Sequence, residues 1–515
     1  MTGSEAEVIA LRLRDTFSQF SLSAHPTYFA GIPRETLSAL LQANRRAELI
    51  QLAVDGFLTF VVADDPADVT LSRTTRSRFL RKLVVALRVE KQSFDQEKLV
   101  AFTRAFSAEY DFDINPMEFI HSFVEKGILF FDDNKIHFSL PFMESYLTAL
   151  ELKSRDDLAT KYFSIDSPDF DLQSFDLYAE LGASEALIDR VTKNLADKLS
   201  DLFTKRPNDY ILLRPQLQPS ILKHPSQLLG LHDALKSARE EARSNSGDKE
   251  GKQHLLDITD RIKETATKRS EEEWQKAPHG SISFEAQLIS LAQAWVVGSV
   301  LLGSGAEHLN ASTKRTLVNS LVQLATLIID IWTRLIAAVD FRKIKEEMTS
   351  ESAIASIIHY KDDQVNLKEH RRIVNNLVDF VEFSFLSFPF RRIVHQLCEQ
   401  ARHRVLATSV EKANVSGEME SIIHATWLAD IDGQRGRALL RNALRQLPTA
   451  PFLRFVLASH FVMRVYWSHW RQEDRLALLE AADETIKPLS IQFKKPELKR
   501  FISKSKKTRE PSARL

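Results

Sequence analysis

Breaks are scarce in this sequence. Only 15 glycines and 17 prolines punctuate 515 residues. Glycine supplies the left-handed conformations of tight turns, and proline ends helices. A chain with so few of either is expected to run in long helices, and the fold class read from it is predominantly all-α. At this length roughly two to four domains are expected rather than one core.

Charge and cysteine content narrow the function classes. Lys and Arg total 69, as do Asp and Glu, so no global field draws the chain to nucleic acid or to a membrane surface. The one cysteine, Cys398, excludes an internal disulfide and any multi-cysteine zinc site. It fits a reducing compartment, and a cytoplasmic location is expected. Met1 to Ala24 has no apolar signal-peptide core. The uncharged run between Glu285 and Glu307 is long enough to cross a bilayer, but Gln287, Ser290, Gln293, Ser299 and Ser304 interrupt it. It reads as a buried helix that breaks near Gly303 and Gly305, so no membrane association is expected.

Local patterns organise the first third. Val8, Leu11, Leu13, Phe17 and Phe20 recur at helical spacing, and a second helix is expected over Thr36 to Asp55. Phe57 to Asp65 fits either a short strand or a helix end. Helices follow at Arg73 to Val89, Asp95 to Tyr110 and Pro116 to Lys126, with Asn115 as a cap and Gly127 closing the third. Two β-prone runs, 128–131 and 136–140, flank Asp132-Asp133-Asn134-Lys135, a hairpin signal. A helix at Phe142 to Lys153 comes next. Beyond residue 155 only helices are expected: 156–163, 174–181, 184–205, 284–302, 312–348, 367–410, 417–428, 435–447 and 452–486. Pro215, Pro219 and Pro225 interrupt the middle, residues 238–252 form a polar segment, and no fixed-period repeat is found.

Ser122-Phe123-Val124-Glu125-Lys126-Gly127-Ile128-Leu129 leads into Ile136-His137-Phe138-Ser139-Leu140-Pro141-Phe142-Met143-Glu144-Ser145-Tyr146-Leu147-Thr148-Ala149. This stretch resembles the end of the winged helix in NACHT-like and related STAND signalling ATPases. His25-Pro26-Thr27-Tyr28-Phe29-Ala30-Gly31-Ile32-Pro33 is similar to the start of the helical lid in the same proteins. The resemblance covers about residues 5 to 155. It implies a lid-like segment at 1–70 and a winged-helix-like domain with a small β-hairpin at 71–155, and the helical pattern beyond it adds a small helical domain at 156–237. A charged linker or helix at 238–279, a C-terminal helical domain at 280–490 and a basic disordered tail at 491–515 complete the division. It also implies Pro26 as an adenine-facing residue if an ATPase core is present, with Gly31 and Pro33 as rivals. Two positions depart from the pattern. Leu140 stands where a phosphate-sensing histidine is common, and Ser145 where glutamate is usual. Leucine cannot donate to a phosphate.

Motifs for chemistry are weak. A P-loop needs glycines whose amides cradle phosphate, followed by Lys and Ser or Thr. The only Gly-Lys pair, Gly251-Lys252, has Ser246 at the first glycine's place and Gln253 after it. Phe60 to Asp65 mimics a strand ending in a magnesium-holding Asp, but no P-loop precedes it. His395, Glu399 and His403, beside Cys398, are spaced for one helix face, yet the steps spread them over about 12 Å. They read as a polar face, and no metal is expected. Arg464 to His469 and Arg454 to His460 fit the Arg-x4-6-His spacing of HEPN-type ribonucleases, in which His moves a proton and Arg holds phosphate. That spacing is common by chance, and Trp467 and Trp470 beside it read as core or interface anchors. Helix 116–126 carries Glu118, Glu125 and one Lys, which argues against DNA reading.

The expected function is therefore the non-catalytic regulatory or sensor half of a STAND-type NTPase signalling protein in a defence or stress response. Such a half acts through protein contacts, with no cofactor of its own and without specific nucleic-acid binding. Its partner is a P-loop ATPase core or effector chain, or a second copy of itself. The alternatives are a HEPN-like ribonuclease in the C-terminal helices and an unrelated helical scaffold.

Overall fold

The computed structural model describes residues 46–63, 71–167, 169–203, 210–213, 284–350, 367–446, 450–465, 472–489 and 499. Two compact units meet in sequence between Val191 and Thr192. Helices dominate both, and the described strands are one antiparallel pair.

In the first unit, α1 (Arg46–Ala63) continues through Phe57 to Ala63, so this ambiguous stretch is a helix end rather than a strand. The free amide of Ala47 at its start donates to Glu180 Oε1 at 3.0 Å. Helix α2 (Arg73–Val84), capped by Ser72, widens into a π-turn at Val85–Val89. Asp95 caps α3 (Gln96–Tyr110) by accepting from Lys98 N at 2.8 Å. Asn115 caps α4 (Pro116–Glu125) by accepting from Met117 N at 3.1 Å, with proline in the first turn, where its missing N–H costs nothing. Gly127 follows at φ +66°, the left-handed stop its position predicts.

The hairpin forms where the sequence places it. Strands β1 (Leu129–Asp132) and β2 (Lys135–Phe138) pair Phe130 with His137 and Phe131 with Ile136. Asp133 and Asn134 sit at φ +46° and +59°, as a two-residue hairpin turn requires. Helix α5 (Pro141–Lys153) then packs on α2 and on α7 (Leu172–Glu180), with α6 (Asp156–Tyr162) between α5 and α7 in sequence. Phe79 of α2 centres the core. Its ring contacts Phe102, Phe106, Phe119 and Phe123 at centroid distances of 4.9–5.8 Å. Arg76, almost fully buried one turn earlier, lies over the Phe119 and Phe123 rings and donates to Ser122 Oγ at 2.8 Å.

Helix α8 (Glu185–Phe203) runs into the second unit. There α9 (Phe284–Ser304) confirms the buried reading of the uncharged run. Trp295 is enclosed, and its indole N–H donates to Leu321 O at 3.0 Å. Among the described residues one helix, α10 (Ala311–Ala337), is long and apolar enough to cross a membrane. Its apolar window is 61% buried within the protein.

Three helices expected as continuous are divided. The 312–348 stretch breaks at Ala338 to Asp340, where Asp340 accepts from Lys343 N at 3.0 Å and starts α11 (Phe341–Met348). Apolar spacing runs through Val339 and Phe341, so periodicity does not register this stop. The 367–410 stretch ends α12 (Leu367–Gln400) early, then forms a 3-10 turn at Arg404–Leu406 and short α13 (Ala407–Glu411). The 452–486 stretch is α16 (Pro451–Val465) and α17 (Gln472–Ile486), which follow α14 (Glu418–Ile431) and α15 (Gly433–Gln446). Two glycines let helices touch by their backbones. A Cβ on Gly436 would collide with the Ala429 backbone, and one on Gly303 with the Gln400 carbonyl.

Candidate functional site

The motif-bearing stretch of the first unit pairs a rigid interior with an apolar outer edge. Leu129, Ile136 and Phe138 turn inward, while Phe130 and Phe131 are 42% and 37% exposed and Met117 at the start of α4 is 49% exposed. Phe130 rests against His137 across the strand pair at 5.5 Å. The hairpin is tied inward by Ile136 N, which donates to Phe94 O at 2.9 Å. Behind it lies a polar knot. Arg88, in the π-turn, donates to Asp171 Oδ2 at 2.8 Å, and the Tyr162 hydroxyl donates to the same oxygen at 2.8 Å. Burial works against the Asp171 charge, but bonds from Ser174, Arg88 and Tyr162 hold its pKa below the usual value. Burial pushes Glu144 upward, against the pull of Arg88 3.7 Å away. An extra residue in a helical turn frequently marks a functional position, and here it delivers the guanidinium to the knot.

Leu140 is buried and precedes α5 without a side-chain capping bond, and Ser145 is buried within α5. Both positions that depart from the family pattern are core positions, and neither presents a group to a nucleotide. Pro26, Gly31 and Pro33 lie outside the described residues, as do Ser246, Gly251, Lys252 and Gln253.

In the second unit the ribonuclease-like and metal-like spacings separate. Helix α12 stops at Gln400, so His403 leaves the face shared by His395 and Glu399. Arg454 is buried, donating to Leu444 O at 3.1 Å and Thr485 O at 3.4 Å. His469, Trp467 and Trp470 lie outside the described residues. Arg464 is fully engaged. Its Nε and Nη2 donate to Asp430 Oδ1 and Oδ2 at 2.6 and 2.7 Å, and its Nη1 donates to Glu399 Oε1 at 2.7 Å. A guanidinium held this way is a structural tie between α12, α14 and α16.

That tie sits beside groups that sequence reasoning did not join. Donor atoms of Cys398, Asp430 and His460 all lie within 4.8 Å of one another, and all three residues are buried. Burial pushes the Cys398 thiol well up and lifts Asp430 to about 6 against the pull of Arg464. Burial, helped by Arg464, His395 and Arg391, depresses His460 to about 3. The imidazole is therefore neutral at physiological pH. The available signal was the adjacency of Cys398 to the His395–Glu399 pair; nothing in the sequence marked Asp430.

No curated protein and no solved structure gives a significant match to the chain. Residues 92–148, from the approach to α3 into the middle of α5, match the family model described as Novel STAND NTPase 4. The matched stretch holds α3, α4, the hairpin and most of α5, and it supports a STAND-type relationship for this part of the chain.

Proposed function

We propose that this chain is a regulatory part of a STAND-type signalling protein and works through protein contacts rather than through catalysis of its own. The observation that carries the reading is the family match over 92–148. It falls on two helices, a hairpin and a following helix, and with α2 ahead of them this is the order of a winged-helix module. STAND proteins behave as latches, in which lid and winged helix pack on an NTPase core and a sensor domain shifts the balance between two states. On this reading the first unit is the latch element and the second the sensor. Phe130, Phe131 and Met117 are the apolar contacts offered to the core, and Pro26 is the residue facing adenine. Leu140 and Ser145, which offer no phosphate-sensing imidazole or carboxylate, support assigning any response to nucleotide to the partner. A defence or stress pathway in the cytoplasm fits this class of regulator.

The test is co-purification of the full chain with and without magnesium and ATP, with the partner identified by mass spectrometry. A stoichiometric P-loop NTPase is expected, its yield changing with nucleotide and dropping for Phe130→Ser with Phe131→Ser. Stoichiometric, magnesium-dependent nucleotide binding by the isolated chain overturns the reading.

A further inference from the structure

We propose that Cys398 of α12, Asp430 of α14 and His460 of α16 form a site for one divalent transition-metal ion of the zinc type. Three helices converge on the point, an arrangement by which helical bundles build metal sites in their cores. The donor atoms already lie within 4.8 Å of one another. Zinc bonds of roughly 2.0–2.3 Å set tetrahedral ligands about 3.5 Å apart, so the donors close by about 1 Å.

Each donor is prepared for a cation. His460 is only 4% exposed, and its Nε2 has no hydrogen-bond partner; a buried ring nitrogen left so is costly unless something binds it. A neutral imidazole is the form that ligates. Asp430 is oriented by both nitrogens of the Arg464 fork. Its oxygens keep further lone pairs, and ligating carboxylates are commonly held by such neighbours. The Cys398 thiol is bonded to Asp430. On metal binding it gives its proton to solvent and becomes a thiolate ligand.

Once the thiol ionises, it and the Asp430 carboxylate turn two negative charges toward a divalent ion, while Arg464 is shared between Asp430 and Glu399, which Arg402 also faces at 3.5 Å. Sulfur, imidazole and carboxylate together suit zinc over calcium or magnesium. The fourth position falls to water.

The chain has one cysteine, which makes the test unambiguous. Tag-free full-length protein is produced in cobalt-supplemented medium and dialysed, with folding checked by circular dichroism. About one equivalent of cobalt is expected to remain, with a thiolate-to-cobalt charge-transfer band that only Cys398 can supply. Cys398→Ser should fold, lose the band and bind cobalt more than about 100-fold more weakly, beyond the loss expected from removing a neighbour of a ligand. His460→Gln should also lower metal content, read on the folded fraction. A folded wild type that retains no cobalt, or retains it without the band, overturns the proposal. Equal metal content in Cys398→Ser overturns it as well.

Discussion

Arg464 and Asp430 form a two-pronged ion pair between α16 and α14, with both bonds at 2.6–2.7 Å and both side chains almost completely buried. Such a pair is costly to break from one side, because the survivor is an uncompensated buried charge. Arg464→Ala should destabilise the second unit by about 3–5 kcal/mol in urea unfolding followed with chelator present. Arg464→Met combined with Asp430→Leu should cost much less than the two single changes together, since neither charge is then stranded. An additive double variant would show that the pair does not act as a unit.

Phe79 touches four other phenylalanines, so Phe79→Ala should cost about 3–5 kcal/mol and lower the cooperativity of the first unit. Arg76→Met keeps much of the stem but loses the contacts with the Phe119 and Phe123 rings. A loss of about 2 kcal/mol is expected. Hydrogen exchange of first-unit amides in the full chain, read with rising denaturant, would separate these from effects in the second unit.

Local signals made most of the first unit legible. The Asn115 cap, the Gly127 stop and the Asp133-Asn134 turn each act within a few residues, so their physics is visible in sequence. The helix break at Asp340 was missed because apolar spacing carries on across it, and the cap that starts the next helix is one carboxylate. The cluster in the second unit was missed for a different reason. Cys398, Asp430 and His460 are about 30 residues apart in turn, and only the packing of α12, α14 and α16 brings them together. Pairing His395 and Glu399 with His403 used the right helix, but the helix ends before the last of them.

Gly436 should not tolerate a side chain. Its missing Cβ is what lets α15 lie on the backbone of Ala429. Gly436→Ala would favour helix in isolation, yet here it should destabilise by about 1–3 kcal/mol as α14 and α15 separate. Circular dichroism with denaturant reads the sign directly, and a stabilised variant contradicts the close approach.

His460 and Glu484 each make the second unit less stable in acid, over overlapping windows. Asp430 has the opposite effect, since its raised pKa favours the folded state as pH falls through about 6. Burial holds His460 at about 3 against 6.5 for an ordinary histidine. The unfolded chain therefore takes up this proton first, and the stability present above pH 6.5 is lost as pH falls toward 3. With chelator present, His460→Gln should gain about 2 kcal/mol relative to wild type between pH 7 and pH 5. Burial opposes ionisation of Glu484, but bonds from Arg441 and Arg437 outweigh it and hold the carboxyl down to about 2. Its contribution is complete above pH 4.5 and disappears as pH drops through 2, so Glu484→Gln should matter at pH 7 and not at pH 2.

The enclosure of Cys398 has a practical side. Its sulfur is fully shielded, and burial keeps its thiol protonated, while a bound ion would mask it further. Alkylating dyes and spin labels act on accessible thiolates, so they should pass this residue by. A cysteine engineered onto the Phe130 edge would then be the single reactive handle on the molecule, ready to report on whatever settles there.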